Sequence, residues 1–319
     1  MSAPVEPLLG QFPNRFVLWL AATRPPFLSV TLVGCLLGLA CAASSGVEID
    51  PVTAFMTVLF ALLAHAGGNV INDYHDARSG ADAANTQRLF PFTGGSRFIQ
   101  NGVLSAGQTG RFGYGLLAAV IPAGLWLAWQ AGPGLIAIGL AGLLVGWAYS
   151  APPIKLMSRG LGEFGIVAAW LLVVMGADFV QRGAFSTLPV VAGLSYALLV
   201  AAILYINQFP DFAGDQASGK RTLVVLLGPD TAKWGYLVMT LVAYGWLVLL
   251  VGNQALPQKA AAAALTLVLS FSAARALIKQ AREPARLAGA IKLTIAAANV
   301  HGLALAAALA FAPWPGVSR

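Results

Sequence analysis

Nine apolar runs alternate with short polar segments along the chain, at roughly 25–44, 52–73, 112–130, 133–150, 161–181, 188–209, 233–252, 257–279 and 289–312. Most are close to the ~20 apolar residues that carry a helix across a bilayer core. Inside a bilayer the backbone finds no water to bond to, so unbroken runs of this length predict helices. The pattern reads as an all-α, polytopic membrane protein with about nine transmembrane helices, forming a single transmembrane domain over 1–319. Pro13-Asn14-Arg15 suits a short interfacial segment before the first span, and the absence of an early basic region argues against a cleavable signal peptide.

Composition sharpens the class. Of 319 residues 58% are apolar and 10% charged, and the mean hydropathy is +0.76. Soluble domains average about 25% charged and roughly 45–50% apolar residues, so a soluble enzyme, a disordered tail and a fibrous repeat are excluded. Cys35 and Cys41 lie in one apolar run and read as small packing residues. The net charge of +7 is a matter of placement. Sixteen of the 19 lysines and arginines fall before the first span or in the loops after spans 2, 4, 6 and 8, against Arg182, Lys259 and Arg319 on the other side. The positive-inside rule then puts the N-terminus and the long loops in the cytoplasm, in a protein integral to the cytoplasmic (inner) membrane. The basic excess is thus a topology signal, and nucleic acid is not an expected partner. Connections on the opposite side are short and nearly devoid of chemistry, so function is expected on the cytoplasmic face, in loops 74–111 and 210–232.

Two acidic clusters sit where spans enter those loops. The first reads Asn69-Val70-Ile71-Asn72-Asp73-Tyr74-His75-Asp76, followed by Gly80 and Asp82. Asn69, Asp73 and Asp76 are spaced i, i+4, i+7 and share a helical face, with Asn72 adjacent; Gly80 would break the helix and let Asp82 fold back. In the second, Asn207, Asp211 and Asp215 recur every four residues around Pro210, followed by Lys220 and Arg221. Carboxylates at a membrane edge are costly and mark function by default. Helix C-termini disfavour them as well, and both clusters break that rule at matching positions.

Hard oxygen ligands without cysteine or paired histidine suit Mg²⁺ rather than zinc or copper. Mg²⁺ takes one or two carboxylates and completes its shell with water and substrate phosphate. Two facing clusters could therefore hold Mg²⁺ ions bridging a diphosphate, with Lys220, Arg221, Arg78 or Lys155 on its outer oxygens. The aromatic residues Phe209, Phe212, Tyr149, Trp147 and Trp170 are candidate cavity liners near such a site.

These residues resemble the UbiA superfamily of intramembrane prenyltransferases. Asn72-Asp73-Tyr74-His75-Asp76 with Gly80 and Asp82 matches its first signature. Asp211-x-x-x-Asp215 running into Ser218-Gly219-Lys220-Arg221-Thr222-Leu223 matches its second. Gly94-Gly95-Ser96-Arg97 and Tyr149-Ser150-Ala151-Pro152-Pro153 are also similar, and the motifs look most like the branch that acts on 1,4-dihydroxy-2-naphthoate in menaquinone synthesis. The resemblance implies a helical bundle around a central cavity open to the cytoplasmic side. It also implies Mg²⁺-dependent ionisation of a polyprenyl diphosphate and attack of an aromatic acceptor on the allylic cation. Carried onto this sequence, it makes Asn72, Asp73 and Asp76 ligands of one ion and Asp211 and Asp215 ligands of the other. Asp82 and Asn207 would support them. Many members place a Tyr and a Lys four residues apart after span 4; here Tyr149 and Lys155 are six apart. Other acceptors used with the same chemistry are hydroxybenzoate, homogentisate, haem or chlorin, and phosphoribose.

The remaining polar residues suggest supporting roles. Glu163 suits a helix N-terminus or an acceptor contact, Asp178 and Arg182 an i,i+4 ion pair, and His301 and Asn299 interhelical hydrogen bonds. His65 falls in the cavity wall two turns above Asp73, and His75 suits a loop contact. Gly67-Gly68, Gly142/Gly146 and Gly160/Gly162 suggest close helix approach. A secondary transporter would place its carboxylates near the midplane rather than at one rim. A CDP-alcohol phosphotransferase needs Asp-Gly-x-x-Ala-Arg, which Asp76-Ala77-Arg78 does not supply.

Overall fold

The computed structural model describes residues 5–311. In chain order its helices are α1 (Arg15–Ala22), α2 (Ser29–Ser44), α3 (Pro51–Ser79), α4 (Ala81–Ala84), α5 (Ala106–Ala131) and α6 (Gly134–Ser150). They continue with α7 (Gly162–Arg182), α8 (Leu188–Ala217), α9 (Leu223–Leu227), α10 (Pro229–Gly252), α11 (Leu267–Gln280) and α12 (Ala288–Phe311). The described residues contain no strand. Eight helical segments are long and apolar enough to cross a membrane, one of them joining the 3-10 stretch Gln258–Thr266 to α11; the ninth apolar run forms the shorter α6. At 17 residues, α6 is about 25 Å long, a little under the ~30 Å hydrocarbon core. Arg319 lies outside the described residues.

The interfacial segment takes the form of α1. The Asn14 side chain accepts from Val17 N at 2.9 Å and caps it. Trp19 packs on Phe112 with ring centroids 4.6 Å apart, while Phe16 is left exposed. The principal departure from the apolar pattern is at the acid ends. Both α3 and α8 continue past their apolar runs, to Ser79 and Ala217. The acids are therefore helical rather than loop residues, and Pro210 sits inside α8 without ending it. Gly80, at φ 83°, closes α3 in the left-handed conformation that glycine adopts without strain, and α4 then carries Asp82 back as expected.

Small residues set the helix contacts. A Cβ on Gly67 would lie 2.8 Å from Leu117, so α3 lies tight on α5; Gly38 likewise abuts the backbone of α7 at Val174. Through the middle runs α8, whose Tyr196 hydroxyl donates to Val30 O and whose Ser195 bonds His301 of α12 at 3.0 Å. Cys35 and Cys41 are buried and unpaired. On one side of α8, Tyr205, Phe209, Tyr236 and Leu277 make a solid core with α10, α11 and α12. The other side holds a cavity. At the end opposite the acids, Leu127, Leu135, Ile138, Phe179 and Val180 pack together and close it. Buried Asp178 pairs there with Arg182 at 2.7 Å, as the spacing predicted.

Candidate active site

The cavity has a volume of about 480 Å³ and is bounded by α2, α3, α5, α6, α7 and α8. Its acid end is polar; most of the wall below is aliphatic. Ile121 and Leu125 of α5 and Ile136 and Leu140 of α6 line it and are exposed, so α5 and α6 do not seal it with packed side chains. Gly139, Gly142 and Gly146 of α6 face it with nothing within 4 Å of where a Cβ would stand. Close helix approach expected for Gly142/Gly146 is thus not found: these glycines widen the cavity. Gly67 does make such an approach.

The two acid clusters meet at the rim. Asn72 and Asp76 from α3, Asp82 from α4, and Asn207, Asp211 and Asp215 from α8 all line it. They are joined by Lys220, whose Nζ lies 3.1 Å from Asp76 Oδ2 and 3.2 Å from Asp215 Oδ1. Asn72 Nδ2 also donates to Asp76 Oδ2, at 3.3 Å, and Asn85 donates to Asp211. Gly214 lets α8 come this close, since a Cβ there would stand 2.8 Å from Asn85 Cβ. Asp82 is cradled by the segment that follows: Arg97 Nη1 donates to its carbonyl at 2.6 Å, Gln100 Nε2 to its carboxylate at 3.3 Å, and a Cβ on Gly95 would collide with that carboxylate.

Electrostatics at the rim follow from burial among like charges. Burial, then the charges of Asp76 and Asp73, push the Asp82 carboxyl up to about 8. Burial opposes the charge on Lys220, but Asp76, Asp215 and Asp211 outweigh it and hold the ammonium above the usual lysine range. Asp73 Oδ2 and Asn207 Oδ1 are buried with no hydrogen-bond partner among the described residues. A rim rich in carboxylates, with the orphaned Asn207 oxygen among them, fits a hard divalent cation. Among the described residues no group of three carboxylate, histidine or cysteine side chains is placed so as to hold a metal ion by itself.

Other expected residues fall elsewhere. Asp73 does not line the cavity: its Oδ1 accepts from Ser96 N at 3.2 Å and lies 4.0 Å from Arg24 Nη1. Arg78 is exposed and donates to Tyr74 OH at 2.9 Å; Arg221 is exposed, with its N–H on Ser158 O; Lys155 sits in a left-handed turn outside the lining. Of the four expected cations, only Lys220 is brought to the cavity. Of the aromatics, Tyr149 and Trp170 line it; Phe209, Phe212 and Trp147 do not. Glu163 is buried, taking a hydrogen bond from Gln208 rather than facing the cavity. His75 bonds Tyr114 at 3.1 Å.

Arg24 was not singled out by its sequence position, which counted only towards topology. It lines the cavity, donates to Phe92 O at 3.1 Å and lies over the Phe27 ring at 4.7 Å. Its one sequence signal is the Arg-Pro-Pro step at the start of the first span. Asn85 likewise carries no spacing that marks it.

The described residues form an all-helical bundle of membrane-length helices around a largely apolar cavity under a carboxylate rim. The chain belongs to the UbiA prenyltransferase family, whose model matches residues 28–296, and it is a prenyltransferase. It is 28% identical over 254 residues to the 1,4-dihydroxy-2-naphthoate octaprenyltransferase of Bacillus subtilis (strain 168), covering 78% of this chain and 76% of that one. Among solved structures it resembles the apo structure of a UbiA homolog from Aeropyrum pernix K1, with TM-score 0.59 and 18% identity over 86% of this chain and 96% of that one. It also resembles a UbiA homolog from Archaeoglobus fulgidus bound to DMAPP and Mg²⁺, with TM-score 0.55 and 14% identity over 91% and 99% of the two chains. At these identities the structural likeness speaks for the fold.

Proposed function

We propose that this protein transfers a polyprenyl group from an isoprenyl diphosphate to an aromatic acceptor, 1,4-dihydroxy-2-naphthoate, in a Mg²⁺-dependent reaction of menaquinone synthesis. The observation that carries the reading is the Asp76–Lys220–Asp215 bridge, in which two distant motifs close on one cation-sized point above a lipid-sized cavity. The acceptor rests on the Bacillus subtilis relative and on the form of the two motifs.

In this reading one domain holds both substrates. Asn72, Asp76, Asp82, Asp211 and Asp215 would hold the metal, with Asn207 beside them and Asp73 braced behind by Arg24 and Ser96 N. Bound Mg²⁺ supplies neutralisation of the diphosphate as its charge grows. Lys220 gives the leaving group a further positive charge. Aliphatic walls exclude water from the allylic cation, and Tyr149 and Trp170 offer π faces to it. The acid rim faces the cytoplasm, and the N-terminus lies on the same side of the cytoplasmic membrane, in keeping with the lysine and arginine bias.

The test is to incubate purified protein with farnesyl or geranylgeranyl diphosphate, Mg²⁺ and a panel of acceptors, and to identify products by mass spectrometry. Prenylated naphthoquinol is the expected product. Diphosphate release with no prenylated product of 1,4-dihydroxy-2-naphthoate, whether the ring carbon gives up its proton or its carboxylate as CO2, would leave the ionisation chemistry standing and overturn the acceptor.

A further inference from the structure

Below the carboxylate rim the cavity has a second polar station, which the metal and diphosphate chemistry does not use. His65 lies on α3 at membrane depth, where an ionisable side chain is costly and rarely idle. It lines the cavity and is only half-buried, so it presents surface to that space. Its Nδ1 is engaged by Thr31 Oγ1 of α2 at 2.8 Å, and its ring meets Trp170 edge-on at 5.1 Å. The contrast with His301 is instructive. That ring is fully buried, and both its nitrogens are taken, by Ser195 at 3.0 Å and Ala263 O at 3.2 Å, as befits a structural cross-link. In His65 the Thr31 bond commits Nδ1, while Nε2, with Asn69 one turn along α3 as the ring's other polar neighbour, has no hydrogen bond of ordinary length among the described residues.

Position along α3 gives this station a purpose. His65, Asn69, Asn72 and Asp76 are spaced i, i+4, i+7, i+11 and form one helical face, all lining the cavity. Phe60, Ala64 and Gly68 form the neighbouring edge, and with α5 and the α6 glycines they bound an apolar space. A polyprenyl tail suits that apolar side. The polar face, roofed by Thr31 and Trp170, is left to a ligand with polar edges and a flat ring. From His65 to Asn72 the helix rises about 10 Å, so a two-ring aromatic lying along α3 can touch both.

We propose that His65, held by Thr31, is a binding residue for a ring hydroxyl of the aromatic acceptor, so that the two substrates approach the rim from different edges of α3. The proposal rests on the prenyl-transfer reading above. In the tautomer whose Nδ1–H is donated to Thr31 Oγ1, Nε2 accepts the hydrogen bond of one ring hydroxyl, the 4-hydroxyl in 1,4-dihydroxy-2-naphthoate, and the ring carbons beside that hydroxyl are turned towards the allylic carbon.

The test compares binding of 1,4-dihydroxy-2-naphthoate and of 1-hydroxy-2-naphthoate, which lacks one hydroxyl, by calorimetry on the full chain in detergent. The proteins are the unmodified enzyme, His65→Leu and Thr31→Val. A hydrogen bond of this kind corresponds to about tenfold in affinity. The unmodified enzyme is expected to prefer the dihydroxy compound by about that factor, and both variants to lose most of the preference by weakening that compound alone. Equal weakening of both ligands, or an undiminished preference in the variants, overturns the proposal; if one variant does not fold, the other decides. Absence of binding and transfer with either naphthoate in the unmodified enzyme refutes the acceptor assignment itself, and the proposal with it.

Discussion

Lys220→Met should separate a working cation site from an incidental ion pair. The Lys220 side chain is 9% exposed and bridges Asp76 and Asp215, whose side chains are 13% and 7% exposed. Removing one partner of a buried pair leaves charge uncompensated and costs about 3–5 kcal/mol. Here one or more of the neighbouring carboxyls can take up a proton, as the upward displacement of Asp82 shows, so about 2–4 kcal/mol is expected for the metal-free protein. The same substitution removes the ammonium that competes with a divalent ion for Asp76 and Asp215, so Mg²⁺ should recover much of the loss; a ligand at a hundredfold its Kd contributes about 2.7 kcal/mol. The assay is thermal unfolding of the detergent-solubilised protein with EDTA and across a Mg²⁺ titration. The variant should melt lower than the unmodified enzyme without metal and gain more from Mg²⁺. Equal melting without metal, or an equal gain from Mg²⁺ in the two proteins, would refute the reasoning.

Further expectations follow from the cavity wall and the N-terminal segment. Gly146→Leu fills open space on α6 and removes a helix-weakening glycine, so the protein should fold. The narrowed cavity should lower kcat/KM for geranylgeranyl relative to geranyl diphosphate by about tenfold, an unchanged ratio placing the tail elsewhere. Glu6 pairs with Arg88 at 2.7 Å and Arg97 at 3.6 Å, tying the N-terminal segment to the loop that cradles Asp82. Burial raises the Glu6 carboxyl, but Arg88, Asn101 and Arg97 outweigh it and hold it below its ordinary 4.5. The contribution is thus present above pH 4.5 and lost as pH falls through the lowered value. Hydrogen exchange of residues 5–14 should rise in that acid window, and Glu6→Gln should show the raised exchange already at pH 7 with little further response.

Much of the fold was legible because a bilayer leaves few options: each apolar run became a helix, and Asp178 found Arg182 one turn away. Meeting of the two acid motifs was legible too, since Asn207, Asp211 and Asp215 share one face wherever α8 is placed. Spacing does not say which way a face points. Asp73 is turned towards Arg24 and Ser96 while Asn72 and Asp76 face the cavity, and α3 packs on α5 at Gly67. The cations were the hardest to place, because their positions depend on loop paths. Lys220 is carried in by the turn after α8, whereas Lys155 and Arg221 are held by bonds between their own loops, such as Arg221 N on Ser158 O at 3.2 Å. Small residues mislead in the same way, since glycine permits contact at Gly67 and leaves a void at Gly146.

The central claim is that the two carboxylate faces act together on an allylic diphosphate, and diphosphate release tests it most directly. Geranylgeranyl diphosphate, Mg²⁺ and naphthoate acceptor are supplied to the unmodified enzyme, Asp76→Asn and Asp211→Asn, with correct folding of each checked by chromatography and thermal melting. Release that depends on Mg²⁺ in the unmodified enzyme and falls by about a hundredfold or more in each variant is the expected result. Release at the unmodified rate in both variants would contradict it.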